Sequence, residues 1–331
     1  MFATIIHFIA ASIVQGTPLL FGATGEIITE KSGNLNLGIP GIMYVGGISG
    51  IVGGYLYEHS CDVSGVAPST VLLLLIPFLS TLIGSALMAL IYSFLTISLR
   101  ANQNVTGLAL TTFGIGVGNF FGGSLLRFFG ESGSISLIRT SNVYRTHLPF
   151  ADNLGYVGEL IFSYGFLVYL AVAIAIAASL IIRKTRLGLN LRAVGENPAT
   201  ADAAGINVIR YKYLSTILGG AIAGLGGLYF VMDYVGGTWT NNGFGDRGWL
   251  AVAIVIFALW KPKSAILSSY LFGGLYICCV YIPGLSNSAK ELIKMAPYVV
   301  TVIVLLITSA RKRREDQPPA SLGLSYFREE R

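Results

Sequence analysis

Amides and hydroxyls are the polar groups that interrupt the apolar runs of this sequence. Five of them stand out, at Asn34, Asn36, Asn104, Thr106 and Thr112. A buried amide that faces only lipid costs free energy, so each of these side chains must face protein or a wet cavity. Uncharged hydrogen-bonding groups suit a weak, passing contact with a neutral polar solute. We therefore expect the five residues to border a solute path, with hydrogen bonding between helices as the alternative.

Enzymatic chemistry has no support in the motifs of the chain. The sequence contains no G-x-S-x-G nucleophile elbow, no H-E-x-x-H zinc motif and no G-x-x-x-x-G-K-[ST] phosphate loop. Its histidines, His7, His59 and His147, are too scattered for metal-ligand spacing. We predict no catalytic residue, no metal site and no cofactor bound by this chain. If ATP drives the protein, another chain binds the ATP.

Composition excludes an ordinary soluble domain. Of the 331 residues only 11% are charged, against about 25% in soluble domains. The mean hydropathy is +0.69, and the apolar residues fall in runs of about 20, the length that crosses a bilayer as a helix. These features predict an all-α polytopic transmembrane bundle of about eight to ten membrane segments, some of them broken or re-entrant. Its partners then include membrane lipid and no nucleic acid.

Hydropathy and charge give the topology of the bundle. Predicted spans lie near 2–24, 39–57, 71–97, 104–125, 161–182, 213–235, 248–260, 264–282 and 296–310. Because cytoplasmic loops retain Lys and Arg, the basic stretch 183–212 and the tail 311–331 are expected inside. The charge-balanced loop 126–160 is expected outside. The membrane domain then covers 1–310, followed by a disordered cytoplasmic tail whose basic start anchors the last helix at anionic headgroups.

Three features of the predicted spans affect how they cross the membrane. Residues 24–40 join two apolar runs with glycines, asparagines and charges, as expected for a broken or re-entrant segment that lines a cavity. One more short helix there would reverse the side of the amino terminus. No charge is expected deep in a span, which disfavours an ion-coupled carrier. Glycines repeat at a spacing of four, for example at Gly46, Gly50 and Gly54, which predicts close helix packing.

The loop 183–212 carries the signals of a folded element. Asn197 is suited to cap a helix, Pro198 to occupy its first turn, and Gly205 to adopt the left-handed conformation after its end. The intervening helix of roughly seven residues is too short to be stable alone, so another part of the structure should hold it.

This loop resembles the cytoplasmic loop of permease subunits of ABC importers in the branched-chain amino acid, ribose and nucleoside group. The similarity rests on a basic T-x-x-G-x-x-x-R-A-x-G stretch followed by N-x-x-A-A-x-x-x-G-I, here Thr185 to Ile206. It extends to segments 26–43, 245–262 and 296–306, and looks most like the nucleoside and simple-sugar branch. One departure is Pro40, where relatives usually carry an acidic residue.

The resemblance implies a multi-pass subunit of the bacterial plasma membrane with several partners. These are a second permease, an ABC ATPase that holds ATP and Mg, and a periplasmic or lipoprotein solute-binding protein. The second permease is expected to differ in sequence, with a homodimer as the alternative. The expected coupling residues are Arg183, Lys184, Gly188, Arg192, Gly195, Glu196, Asn197, Pro198, Asp202 and Gly205. Nucleosides are the first candidate solutes and simple sugars the second, while a flavin-like vitamin, another small polar solute and secondary transport remain alternatives.

Overall fold

The computed structural model describes residues 2–130, 133–147, 149, 155–282, 284–311 and 317–328. In this part of the chain every regular element is a helix, with one isolated bridge between Ser136 and Thr238. In order the helices are α1 (Phe2–Glu30), α2 (Ile39–Ser64), α3 (Thr70–Ser93), α4 (Gln103–Phe128), α5 (Ile138–Tyr144), α6 (Gly155–Ile161), α7 (Phe166–Lys184), α8 (Arg186–Glu196), α9 (Pro198–Ala203), α10 (Val208–Tyr229), α11 (Arg247–Phe257), α12 (Pro262–Tyr281), α13 (Asn287–Lys294) and α14 (Ala296–Arg311). Short π-helical turns, Phe94–Ser98 and Phe230–Tyr234, extend α3 and α10.

Seven of these helices are long and apolar enough to cross a membrane: α1, α2, α3, α4, α7, α10 and α12. The apolar helices α11 and α14 are shorter, at 11 and 16 residues. The predicted all-α membrane bundle is therefore confirmed. The span predicted near 248–260 crosses a membrane untilted only if it starts nearer Asn242, and α11 starts at Arg247.

Helix α10 lies at the centre of the bundle, against α1, α2 and α3. Glycines allow this packing. A methyl group on Gly46 of α2 would lie 2.5 Å from the Cα of Gly224 of α10, and one on Gly227 would collide with the carbonyl oxygen of Met43. These contacts leave no room for a side chain, so the prediction that the glycine faces serve close helix packing is confirmed.

Helix α2 begins inside the bundle rather than at its surface. Helix α1 continues to Glu30, and a turn over 31–38 leads to Ile39. A methyl group on Gly38 would lie 3.0 Å from Leu110, a residue about 10 Å along α4 from its start at Gln103. The chain therefore reaches one end of the bundle after α1, and residues 31–38 then re-enter the bundle. The sequence places a broken or re-entrant segment here, and the structure agrees.

Pro40 occupies the first turn of α2, where a proline does not disturb a helix. It is buried, and a methyl group on Gly248 of α11 would lie 2.5 Å from its Cα. The beginnings of α2 and α11 thus meet within the bundle. Pro40 therefore lies in the first turn of α2 and does not break the helix, and it packs against Gly248 of α11.

The prediction that no charge lies deep in a span is wrong. The side chains of Glu26, Glu30 and Arg247 are each more than nine-tenths buried. Glu26 Oε1 accepts a hydrogen bond from the backbone N–H of Asn36 at 2.9 Å, and Glu30 accepts one from the indole of Trp260. Hydropathy ends the first span near residue 24 and so leaves both carboxylates in the segment 24–40 that follows it, whereas α1 continues to Glu30.

The loops expected in the cytoplasm gather at one end of the bundle. The turn 31–38 meets α8, because a methyl group on Gly195 would contact the carbonyl of Lys31. The same turn meets the start of α4 through a 2.7 Å hydrogen bond from Leu35 N to Gln103 Oε1. Residues 317–328 also bind there. This end carries the basic loop 183–212, so it is the end that the sequence predicts to face the cytoplasm.

Replacing Gly227 by Ala is expected to destabilise the bundle by about 1–3 kcal/mol, since the methyl group meets backbone atoms that are unable to rotate away. The control is Gly116→Ala on α4, where an added methyl group has no neighbour within 4 Å. Both changes give the same gain in helix propensity, so only packing differs. Thermal melting in detergent should give a lower midpoint for Gly227→Ala alone. Equal midpoints would contradict the packing explanation.

Candidate functional site

The cytoplasmic loop folds into two capped helices, α8 and α9. Thr185 Oγ1 accepts a hydrogen bond from Gly188 N at 3.2 Å and caps α8. Asn197 Oδ1 accepts one from Thr200 N at 3.0 Å and caps α9, whose first residue is Pro198. Gly205 follows with φ of +83°. The predicted cap, first-turn proline and left-handed glycine of α9 are confirmed, whereas α8 is not predicted from the sequence.

The ten expected coupling residues divide by exposure. Those at the surface are Arg183, Lys184, Arg192, Glu196, Asn197 and Gly205, and those half-buried are Pro198 and Asp202. The two buried ones are Gly188 and Gly195, whose added methyl groups would collide with the carbonyl oxygens of Ile181 and Lys31. The glycines therefore pack the loop against the bundle, and the exposed residues form a polar surface.

A small apolar cluster holds α9 in place. Val194, Ala201 and Val208 are buried together, and Tyr326 packs against them from the carboxyl-terminal segment. A six-residue helix such as α9 is marginal in water without tertiary support. This cluster supplies that support.

Residues 317–328, which we name the C-terminal strap, bind across the loop. Ser321 donates to the carbonyl of Gly195 through its N–H at 3.0 Å and its hydroxyl at 2.6 Å. Tyr326 donates its hydroxyl to Asp202 at 2.9 Å, and Arg328 forms an ion pair with the same carboxylate at 3.2 Å. The expectation of a disordered tail is therefore wrong for 317–328. The composition of the tail does not reveal this order, because the order depends on contacts with the loop. Residues 312–316 and 329–331 lie outside the described part.

The strap and α8 both contact the turn between α1 and α2. Gly323 N donates to Gly33 O at 3.2 Å. Burial lowers the pKa of the Lys31 ammonium group, and the neighbouring Glu196 carboxylate opposes that shift. The loop, the strap and the turn thus form one continuous contact region at the cytoplasmic end.

The structure does not gather the five residues expected along a solute path. Asn34 lines a cytoplasmic cavity of about 540 Å³ and donates to Thr216 Oγ1 at 3.1 Å. Asn36 and Thr106 are buried in contacts within the protein. Asn104 and Thr112 lie on the exposed face of α4. These two face outward from the chain, and a path through them requires a second protein against α4.

A second cavity, of about 230 Å³, lies between the start of α2 and the loop that precedes α11. Its walls include the rings of Tyr44, Phe230 and Trp239, and Arg247 also lines it. Sequence reasoning missed this site because its residues come from segments far apart in the chain. The aromatic residues beside Gly236 and Gly237 are the only local signal.

A bundle of membrane helices with a folded basic loop at one end fits a membrane permease. The chain matches the model of the family described as branched-chain amino acid transport system / permease component over residues 8–307, and it belongs to that family. It is a permease subunit of an ABC importer and a multi-pass protein of the bacterial plasma membrane. Such subunits are not themselves catalytic.

Three relatives illustrate the similarity. The chain is 32% identical over 311 residues, 92% of each chain, to a nucleoside ABC transporter permease protein of Lactococcus lactis. It is 28% identical over 327 residues to a guanosine ABC transporter permease protein of Bacillus subtilis, covering 98% of this chain and 97% of the relative. A provisionally named glucose ABC transporter permease protein of Haloferax volcanii is 34% identical over 268 residues, 80% of this chain and 74% of the relative.

The chain also matches a second permease protein of the same named function from Lactococcus and from Bacillus. The second nucleoside permease protein of Lactococcus lactis is 28% identical over 144 residues, 43% of this chain and 38% of its own length. The second guanosine permease protein of Bacillus subtilis is 22% identical over 314 residues, 92% of this chain and 82% of its own length. No solved structure matches the chain.

Deletion of residues 317–331 is expected to loosen the loop without preventing membrane insertion. The carbonyl of Gly195 loses both donors from Ser321, and the apolar cluster loses Tyr326, so amide exchange over 195–206 should accelerate by roughly tenfold. Deletion of 329–331 alone retains the strap and serves as the control. Exchange measured by mass spectrometry on the detergent-purified permease checks this. Identical exchange in both deletions would show that the strap does not support the loop.

Proposed function

We propose that this importer permease translocates nucleosides. Support comes from the names of the Lactococcus and Bacillus relatives, which align with nearly the whole chain. The Haloferax relative favours a simple sugar as the second candidate. Uptake of labelled guanosine, uridine and glucose by cells with and without this gene tests the choice. If cells without the gene lose glucose uptake and keep nucleoside uptake, the transported solute is a sugar and not a nucleoside.

We further propose that a separate ATPase binds to α9 and supplies the energy. The observation that carries this proposal is a capped helix whose inner side is fixed by an apolar cluster while Glu196, Asn197 and Gly205 remain at the surface. ATP and Mg would be held by that partner, in keeping with the absence of a phosphate-loop motif from the sequence. This chain contributes a rigid surface that moves with the ATPase.

Closure of the ATPase would reach the membrane through the turn between α1 and α2. Gly195 at the end of α8 contacts Lys31 of this turn, and the strap binds both Gly195 and Gly33. Because α2 starts directly after the turn, a displacement of α9 would shift the first residues of α2. Packed elements joined without soft loops transmit such movements.

A second, different permease is the proposed partner of α4. The exposed face of this helix carries Asn104, Leu108, Thr112 and Phe120 at a spacing of four, with Gly116 between them. Polar groups and a glycine on a membrane-facing surface suit another helix better than lipid. The paired permeases of Lactococcus and Bacillus favour a heterodimer. The solute path would then lie along α4, between the two subunits.

The external end would receive solute from a periplasmic or lipoprotein binding protein. Helices α5 and α6 lie in the predicted external loop 126–160. Helix α5 is fixed to α2, since Glu58 accepts a hydrogen bond from Thr140 N at 3.0 Å. A fixed external surface of this kind offers a docking platform next to α2.

Substitution of Ala201 by Pro should abolish uptake and solute-stimulated ATP hydrolysis. Ala201 N donates to Asn197 O at 3.0 Å within α9, and proline removes this donor and clashes with the preceding turn. The same change at Ala67, an exposed residue of an external loop before Pro68, is the control for proline substitution itself. Both variants should insert normally, and only Ala67→Pro should transport. Normal uptake by Ala201→Pro would exclude α9 as the coupling helix.

The heterodimer is tested by purification of a tagged chain expressed with and without the second permease. We expect the two permeases in equal amounts, together with the ATPase, only in the co-expressed sample. Replacing Gly116 by Trp on the proposed interface should reduce recovery of the partner at least tenfold. Val71→Trp, on an exposed face of α3, is the control. ATP-driven transport by this permease and the ATPase alone would establish the homodimer instead.

A further inference from the structure

We propose that the cavity beside Arg247 binds the planar base of the transported nucleoside; this site rests on the proposed function and specifies where the solute is recognised. The cavity has a volume of about 230 Å³ and lies between Met43 and Gly47 of α2, the π-turn after α10 and the loop 235–246. Its lining is dominated by the rings of Tyr44, Phe230, Tyr234, Trp239 and Phe244.

The cavity lies between the middle of the bundle and the loop that follows the outer end of α10. Gln15 of α1 bonds to both Tyr234 and Arg247, with Nε2 to the tyrosine hydroxyl at 2.6 Å and Oε1 to the guanidinium at 3.4 Å. Because α1 ends at Glu30 near the cytoplasm, Gln15 lies about 22 Å from that end. A solute released by an external binding protein would meet this cavity before it reaches the cytoplasmic side.

Arg247 is a buried cation with unused hydrogen-bonding capacity. Its side chain is 8% exposed, and its guanidinium lies 4.7 Å from the ring centre of Phe230 and 5.2 Å from that of Tyr234. One terminal nitrogen donates to Phe244 O at 3.0 Å and the other to Gln15, but the Nε–H has no partner. Among the described residues it forms no ion pair. A donor buried in this way is an incomplete interaction that a ligand acceptor would satisfy.

Hydrogen bonds hold the aromatic walls on the side that faces α4. The Tyr44 hydroxyl donates to Asn119 Oδ1 at 2.6 Å and accepts from Asn242 N at 2.7 Å. The Trp239 indole donates to Asn241 Oδ1 at 3.0 Å and packs edge-on against Tyr44, with ring centres 5.1 Å apart. Since Asn119 belongs to α4, the cavity borders the helix proposed to line the path between the two permeases.

The chemistry of this cavity suits a nitrogen heterocycle better than a sugar. A base stacks on aromatic side chains through its face, and arginine donates to carbonyl and ring-nitrogen acceptors on its edge. A simple sugar presents a C–H face in place of a π-face, and its hydroxyls need donors and acceptors all round, which this ring-lined cavity supplies less well. Few polar groups line the cavity, so binding should be weak enough to release the solute onward. Arg247 and the rings would position the base while the ribose faces the path.

The direct test is binding to the complete transporter in nanodiscs, without the external binding protein, followed by tryptophan fluorescence. Guanosine and uridine should quench the signal in a saturable way, and ribose should not. Trp239→Phe should remove most of the change, because Trp249 and Trp260 do not line the cavity. Equal responses to ribose and to the nucleosides, or no saturable response to either nucleoside, would overturn the proposed site.

Variants at two phenylalanines separate recognition from folding. Phe244→Leu removes a ring that meets Phe230 edge-on at 5.0 Å in the cavity, and Phe257→Leu removes one that meets Phe272 at 5.1 Å elsewhere. We expect Phe244→Leu and Arg247→Gln to weaken nucleoside binding at least tenfold, with Phe257→Leu unchanged. Unaltered binding in Phe244→Leu would remove the proposal even if Arg247→Gln fails to fold.

Cellular uptake distinguishes this site from the proposed function. If nucleosides are transported but Phe244→Leu leaves their uptake and binding unchanged, the site is wrong and the function stands. If nucleoside uptake does not depend on this gene, the proposed function fails, and saturable quenching by nucleosides would then be needed to retain the site.

Discussion

The need to satisfy backbone polar groups in a largely buried turn is the constraint on which the rest of the structure depends. Residues 31–38 turn at one end of the bundle and re-enter it, and most of them are buried, so their amides need partners within the protein. Glu26 accepts from Asn36 N, Gln103 accepts from Leu35 N, and the hydroxyl of Tyr92 donates to Leu35 O. These bonds fix where α2 begins. A buried carboxylate in α1 is therefore a structural requirement of the turn and no sign of ion coupling.

The position of the turn links the two ends of the molecule. On one side the turn contacts Gly195 of α8 and the C-terminal strap. On the other side it leads into α2, whose first turns include residues that line the aromatic cavity. The glycines of α2 and α10 keep these helices in backbone contact, so α2 is unable to shift without its neighbour. The proposed coupling and the proposed solute site consequently share one mechanical element. A movement that starts at α9 would change the cavity through the first turns of α2.

The sequence predicts features whose causes are local and misses those that depend on distant contacts. Hydropathy identifies the membrane helices, and the caps of α9 follow from Asn197 and Gly205 because capping involves residues only a few positions apart. The family also follows from the sequence of the loop. By contrast, the burial of Glu26 and the docking of Ser321 depend on Asn36 and Gly195, which approach only after folding. The cavity beside Arg247 joins α2, the end of α10 and the start of α11, and no periodic pattern reveals it.

Reconstituted transport tests the central claim, that ATP hydrolysis by a partner drives solute through this permease. Proteoliposomes containing this chain, the second permease and the ATPase should accumulate labelled nucleoside from added binding protein only when ATP is hydrolysed. A variant ATPase that binds ATP without hydrolysing it should abolish accumulation, and a proton or sodium gradient should not replace ATP. Accumulation driven by an ion gradient in the absence of the ATPase would contradict the claim and identify a secondary transporter.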